Sequence, residues 1–161
     1  MLFGSRCFFI KENVLDKFIG SWKLVMTEFV KEDGGHIRSL GNTPGGLLIY
    51  AKNGWMSAQL HSSGRESFSK NDQLAGTDVE IRAAFSSYAA YYGTYEIDPE
   101  RKMVRHQVSG SMFPNQAGTA LDRFFQFTGN DQTLTLRTEP FQINGENLVG
   151  TLVWEKLTEE G

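Results

Sequence analysis

His106 is the side chain of this sequence best placed to do chemistry. It lies between Val104 and Val108 in a strand-like run, and successive side chains of a strand point to opposite faces, so these three residues share one face. If that face is the interior of a barrel, the imidazole is buried and needs a hydrogen-bond partner. Such a histidine could orient a carbonyl or a phenol, or move a proton. The alternative is a histidine with a purely structural role.

Arg123 and Asn115 are the residues that could act together with this histidine. Arg123 begins a later strand whose Phe125 and Phe127 share its face, and Asn115 lies in the loop between that strand and the strand of His106. Together they predict a polar group at one end of an apolar cavity. His106 would be the acid–base group, and the other two would bind a carbonyl or an oxyanion. An arginine that only closes the barrel end is the other interpretation.

A hairpin around Asn53-Gly54 contributes candidate ligand contacts. This dipeptide is typical of a two-residue type I′ turn, which pairs Tyr50 with Ser57 and Leu48 with Gln59. In that register one face mixes aromatic and polar side chains, and which face points inward stays open. Neither face is plainly charged, so both should be partly covered. The apolar face carries Leu47, Ile49, Ala51, Met56, Ala58 and Leu60.

The mixed hairpin face and a stripe of tyrosines complete the predicted ligand site. Polar atoms among aromatic rings suit a flat, oxygenated ligand. The alternative is an outer face covered by a helix or by a second subunit, as in a homodimer. Tyr91 and Tyr95 share a face with Gly93, where another strand or a ligand can come close. The predicted ligand contacts are Tyr50, Trp55, Ser57, Gln59, Tyr91, Tyr95 and Phe125.

Several classes of function have little support in the sequence. The three histidines lie far apart without metal-ligand spacing, and no glycine-rich phosphate loop is present, so neither a metal nor a cofactor is predicted. The net charge of −3 argues against nucleic-acid binding. Cys7 is the only cysteine, which favours a reducing, cytoplasmic setting. No apolar run approaches the roughly 20 residues that cross a bilayer.

The elements that must position these residues are mostly strands. The 161 residues predict a single domain, with an N-terminal arm over residues 1–11 and a short helix capped by Asn13. Thr77 to Glu80 has the capping-box pattern of a helix that ends near Ser86. Tight turns separate about eight strands, which favours a closed antiparallel up-and-down barrel. The strands are the two runs of the hairpin and residues 21–30, 88–97, 103–108, 123–127, 133–138 and 148–157.

Motifs spread over residues 20 to 156 resemble the lipocalin-like domain family of microbial proteins, related in shape to the calycins. They are Gly20-Ser21-Trp22, the stretches 45–50 and 54–60, Tyr92-Gly93-Thr94-Tyr95, His106, Pro114-Asn115, Gly118, Arg123 and Leu152-Val153-Trp154-Glu155. Gln116 departs from the pattern, because the family has an aromatic residue after Pro-Asn. The resemblance implies a barrel with a central cavity, but no single reaction, since related barrels include carriers, cyclases and isomerases.

Two functions therefore compete at this stage. The first is binding of a small hydrophobic, partly oxygenated ligand in the central cavity. The second is an isomerase, cyclase or dehydratase acting on a polyketide- or terpenoid-like molecule in the same cavity, with His106 as the acid–base group. A polar cluster deep in the cavity around a histidine with a shifted pKa would favour the enzyme.

Overall fold

Eight strands close into a barrel in the computed structural model, which describes residues 14–38 and 40–158. The predicted arm, Asn13 and Cys7 lie outside the described residues. The elements in chain order are α1 (residues 14–18), β1 (Gly20–Lys31), β2 (His36–Ile37), β3 (Gly45–Tyr50), β4 (Trp55–His61), α2 (Asp78–Ser86), β5 (Tyr88–Asp98), β6 (Met103–Ser111), a 3-10 turn (Pro114–Gln116), β7 (Ala120–Thr128), β8 (Thr133–Thr138), β9 (Phe141–Ile143) and β10 (Glu146–Lys156).

The strands follow one another around the barrel in an up-and-down order. The sequence β1-β3-β4-β5-β6-β7-β8-β10 is antiparallel throughout, and β10 pairs with β1 to close the circle. Closure leaves no long unpaired edge. The short β2 and β9 extend β1 and β10 at one end. The predicted eight-stranded up-and-down barrel is therefore confirmed, and β9 is a strand that the pattern did not indicate.

The predicted register of the β3–β4 hairpin is wrong by one residue. Ile49 pairs with Ser57, and the Ala51 amide donates to the Trp55 carbonyl oxygen (2.8 Å), which leaves a three-residue loop. Within this fully described turn only Gly54 has a positive φ, 88°. The loop is a type I turn followed by a left-handed glycine. Because one extra residue reverses the alternation, the buried residues of this hairpin are Leu48, Tyr50, Met56, Ala58 and Leu60.

A bulge shifts the inward face of β1 in the same way. Leu24 pairs with Trp154 and Met26 with Val153, so one residue of β1 is extra at this point. Beyond the bulge, Thr27 is buried and Met26 is 42% exposed. Plain alternation along residues 21–30 would put Trp22, Leu24 and Met26 on one face, and the bulge turns Met26 outward instead.

One end of the barrel is plugged by aromatic rings beneath α1. Phe18 is fully buried and meets the rings of Tyr50, Phe125 and Phe127 edge to face, at centroid distances of 4.9–5.1 Å. Such contacts add about 0.5–1.5 kcal/mol each to the burial of apolar area. The Trp22 indole N–H donates to the Phe18 carbonyl oxygen (2.8 Å), which fixes the helix on the barrel. This end of the barrel is therefore closed.

The capping box of α2 forms as the sequence predicts. The Glu80 amide donates to Thr77 Oγ1, and the Glu80 carboxylate accepts from the amides of Thr77 (2.8 Å) and Ser69 (2.6 Å). These donors, that of Thr77 first, lower the pKa of Glu80 to about 2. The Ser69 contact also ties the long loop before α2 to the helix.

Replacing the cap should therefore loosen α2 without unfolding the barrel. We expect Thr77→Ala to lower the free energy of unfolding by about 1 kcal/mol, measured by urea denaturation, because the Glu80 amide loses its acceptor. Thr77→Ser is the matched control, since it keeps the hydroxyl and should stay close to the parent protein. Equal losses in both variants would contradict the role given to Oγ1.

Candidate functional site

A cavity of about 530 Å³ occupies the end of the barrel opposite α1. Its rim includes the end of α2, the start of β5, the 3-10 turn and the segment between β8 and β9. Its volume lies within the range of small-molecule sites in proteins. Most of its wall is apolar, with side chains that include Leu48, Ala58, Leu60, Leu136, Leu152 and Trp154.

His106 lies within the barrel, between Tyr50 of β3 and Tyr91 of β5. It is 1% exposed, and its Nε2 is hydrogen-bonded to the Tyr50 hydroxyl (2.7 Å) and its Nδ1 to the Tyr91 hydroxyl (3.0 Å). Tyr91 and His106 line the cavity, whereas Tyr50 lies on the side of the aromatic plug. The three strands β3, β5 and β6 thus build one buried polar cluster beside the cavity.

Burial keeps this cluster uncharged. It lowers the pKa of His106 to about 3, helped by the nearby positive charge of Arg123 and opposed by Asp122. Burial, followed by the neighbouring Tyr91, holds the pKa of the Tyr50 hydroxyl well above its usual range. At neutral pH the imidazole therefore has one N–H donor and one acceptor nitrogen.

Arg123 brings a positive charge to the cavity wall. It pairs with Val104, which is fully buried, so its side chain starts on the inward face of β7. Nη1 donates to the Asp122 carbonyl oxygen (3.0 Å). The Asp122 carboxylate points to the other face and accepts two hydrogen bonds from Arg105, each 2.7 Å. No ion pair of Arg123 is found within the described ranges 14–38 and 40–158.

Trp154 adds a polar atom that the sequence analysis did not single out as a ligand contact. It lines the cavity and is 1% exposed, yet its indole N–H has no hydrogen-bond partner among the described residues. A buried unpaired donor costs about 1–3 kcal/mol. Alternation along the last strand could have indicated Trp154, because it lies two residues after Leu152 and both side chains face inward.

Of the predicted site residues, some line the cavity, some lie outside the barrel and some pack around its closed end. Tyr91, His106 and Arg123 line the cavity, as the alternation within their strands predicts. Asn115 is exposed in the 3-10 turn and is not a lining residue, whereas the neighbouring Gln116 is. Asn115 is therefore not at the cavity mouth, because the turn presents the next side chain instead.

The hairpin contacts predicted from the wrong register lie outside the barrel. Trp55 is 47% exposed and stacks on Tyr92, and the exposed Gln59 accepts from the Tyr88 hydroxyl. Ser57 shares this outward face with them. These three side chains do not reach the cavity. The three-residue turn shifts β4 by one residue against β3, so they no longer share a face with Tyr50.

Tyr95 and Phe125 belong to the packing around the closed end. The Tyr95 hydroxyl donates to the Ala51 carbonyl oxygen (2.9 Å), and its ring meets that of Tyr50 edge to face. Phe125 packs on Phe18. Neither is a lining residue, so both support the cluster from the side away from the cavity.

The described residues contain neither a candidate metal site nor a membrane-spanning helix. No group of three or more His, Cys, Asp or Glu side chains is close enough there to hold a metal ion. Among the helices of the described part of the chain, none is long and apolar enough to cross a membrane.

Comparison with known proteins agrees with this architecture. A 4'-hydroxy-3'-methoxypropiophenone carrier protein from Aspergillus oryzae is 31% identical to this chain over 108 residues, which make up 63% of this chain and 96% of that protein. A family model described as a lipocalin-like domain matches residues 19–157, nearly the whole sequence. The chain therefore belongs to the lipocalin-like domain family.

Proposed function

We propose that this protein binds and carries a small hydrophobic, oxygenated aromatic molecule in the barrel cavity. The observation that carries the proposal is an apolar cavity of about 530 Å³ with a single buried polar cluster on its wall. Apolar walls supply affinity through burial, and a few placed polar groups fix the orientation of the ligand. The relative from Aspergillus oryzae, named as a carrier of an aryl ketone, supports a ligand of this size and polarity.

Tyr91 and Arg123 are the polar contacts that we propose for this ligand, and His106 positions Tyr91. The state of His106 favours binding over acid–base catalysis. A general acid or base works best when its pKa lies near the operating pH, and the pKa of His106 is about 3. Both of its ring nitrogens are already occupied by tyrosine hydroxyls. The imidazole is therefore suited to orienting Tyr91.

Binding in the cavity can be tested by blocking its mouth. Ala89 lines the cavity at the exposed start of β5, so Ala89→Trp should fill the entrance without disturbing the closed end. We expect it to weaken binding of 4'-hydroxy-3'-methoxypropiophenone about tenfold or more, measured by isothermal titration calorimetry, equivalent to a loss of about 1.4 kcal/mol.

Gln107→Trp is the control for this experiment. Gln107 is exposed on β6 and does not line the cavity, so the same bulky side chain should leave the affinity unchanged there. Binding that is indifferent to Ala89→Trp, or no binding by the parent protein, would contradict the proposal.

A further inference from the structure

We propose that the cavity takes its ligand as an anion, namely an acidic phenol or enol whose ionised oxygen accepts hydrogen bonds from Tyr91 and Arg123. This proposal rests on the proposed function and defines the chemistry of the molecule that the barrel binds. It follows from the direction of the hydrogen bonds in the buried cluster.

The hydrogen bonds of the cluster have one favourable direction. Tyr50 is 1% exposed, and its hydroxyl contacts no hydrogen-bond partner other than His106 within the described residues. A buried O–H without an acceptor is costly, so Tyr50 donates to Nε2. A neutral imidazole has a single N–H, which is then on Nδ1 and donates to the Tyr91 oxygen. The O–H of Tyr91 is left free to donate into the cavity.

Arg123 is a second hydrogen-bond donor on the cavity wall. It has five N–H groups and no acceptor atom, and its one described hydrogen bond uses Nη1. Tyr91 and Arg123 therefore both offer donors to an acceptor oxygen in the cavity.

The charge of Arg123 is not balanced by a carboxylate within the cavity. The groups near it from β3, β5 and β6 are the phenols of Tyr50 and Tyr91 and the imidazole of His106. Of the two carboxylates near the cavity, Asp122 is held on the outer face by Arg105, and Glu139 is exposed at the rim. A positive charge beside apolar walls favours an anionic ligand.

An anion with delocalised charge suits this setting better than a compact one. Transfer of a localised charge into an apolar site is expensive, and a single arginine supplies limited compensation. A phenol conjugated to a carbonyl spreads its negative charge over the ring and the second oxygen.

The ionisation state of a bound probe tests this proposal directly. The phenolate of 4'-hydroxy-3'-methoxypropiophenone absorbs at longer wavelength than the phenol, so a pH titration of the saturated complex reports the pKa of the bound molecule. We expect that pKa to lie about one unit below the value of the free probe, which corresponds to about tenfold tighter binding of the anion. The methyl ether 3',4'-dimethoxypropiophenone cannot ionise and should bind about tenfold more weakly than the anion.

Removal of the charge should abolish the shift of the probe pKa. Arg123→Met is expected to return the bound phenol to its free pKa. Arg137→Met is the matched control, because Arg137 is an exposed arginine on the next strand that does not line the cavity. It should retain the full shift. A bound phenol that titrates at or above its free pKa would overturn the anion proposal while leaving the binding function intact. Failure of both probes to bind would overturn both.

The direction of the hydrogen bonds has a test of its own. Nitrogen-15 NMR of the imidazole should show the hydrogen of His106 on Nδ1, with Nε2 as the acceptor. The opposite tautomer would mean that Tyr91 donates to the ring and offers only an acceptor to the cavity, which would overturn the donor assignment.

Discussion

Between pH 7.5 and pH 5 the protein should lose about 2 kcal/mol of its free energy of unfolding through His106 alone. The pKa of this histidine is about 3 in the folded protein, against an ordinary value of 6.5. As the pH falls below 6.5, the unfolded chain takes up a proton that the buried imidazole does not accept. The unfolded state therefore gains stability relative to the folded one, and the loss continues until the pH approaches 3.

Urea denaturation at half-unit steps of pH measures this slope. Burial is the main cause of the lowered pKa of His106. Because the pH dependence comes from this group, its removal should flatten the curve of unfolding free energy against pH. His106→Gln keeps a donor and an acceptor beside the two tyrosines but does not titrate, and its stability should vary much less over this range. His36→Gln, at an exposed position, should keep the parent slope. A parent slope near zero, or an unchanged slope in His106→Gln, would show that the imidazole is not buried in its neutral form.

The carboxylates with lowered pKa values affect the free energy of unfolding in a lower pH range than His106 does. Arg105 holds the pKa of Asp122 below its usual value, and the amides of Thr77 and Ser69 do the same for Glu80. The stability that these carboxylates contribute is present above their ordinary pKa values near 4 and is lost only in stronger acid. The part of the stability loss above pH 5 that His106→Gln removes therefore reports on the buried imidazole and not on these carboxylates.

Local patterns in the sequence were sufficient to predict the structure where no bulge or extra turn residue interrupts them. The capping box at Thr77 depends on four consecutive residues, and it forms as predicted. The inward positions of His106 and Arg123 depend on alternation within single strands, and β6 and β7 keep that alternation around them. The eight-stranded barrel was predictable because its strands are separated by recognisable turns.

The remaining errors come from single extra residues and from contacts between distant strands. A three-residue turn at Gly54 instead of a two-residue turn sends Trp55 and Gln59 outward. A bulge in β1 has the same effect on Met26. The cluster of Tyr50, His106 and Tyr91 joins three strands whose relative register no local pattern specifies.

Gly93 marks the place where the register of the polar cluster is fixed. It pairs with Val108, and the β5–β6 ladder shifts register beside it, with Ser109 as the extra residue of β6. A Cβ atom on Gly93 would collide with the carbonyl oxygen of Gln107, which is backbone and cannot turn away. The bulge therefore needs a glycine opposite it. It also sets the position of His106, two residues before Val108, against Tyr91 on the neighbouring strand.

Gly93→Ala should accordingly be among the most damaging small substitutions in the barrel, lowering the free energy of unfolding by roughly 3 kcal/mol, because overpacking against backbone forces a strand to move. Gly110→Ala is the matched control in the same bulge. The three atoms nearest to a Cβ atom there all belong to the Tyr92 side chain, which is 52% exposed and can swing into solvent, so the loss should stay below about 1 kcal/mol. If urea denaturation gives equal losses for the two variants, the close approach of β6 to Gly93 is not what holds this part of the barrel. If Gly93→Ala is the more damaging, its movement of β6 should also disturb the Tyr91–His106 hydrogen bond, and ligand affinity should fall together with stability.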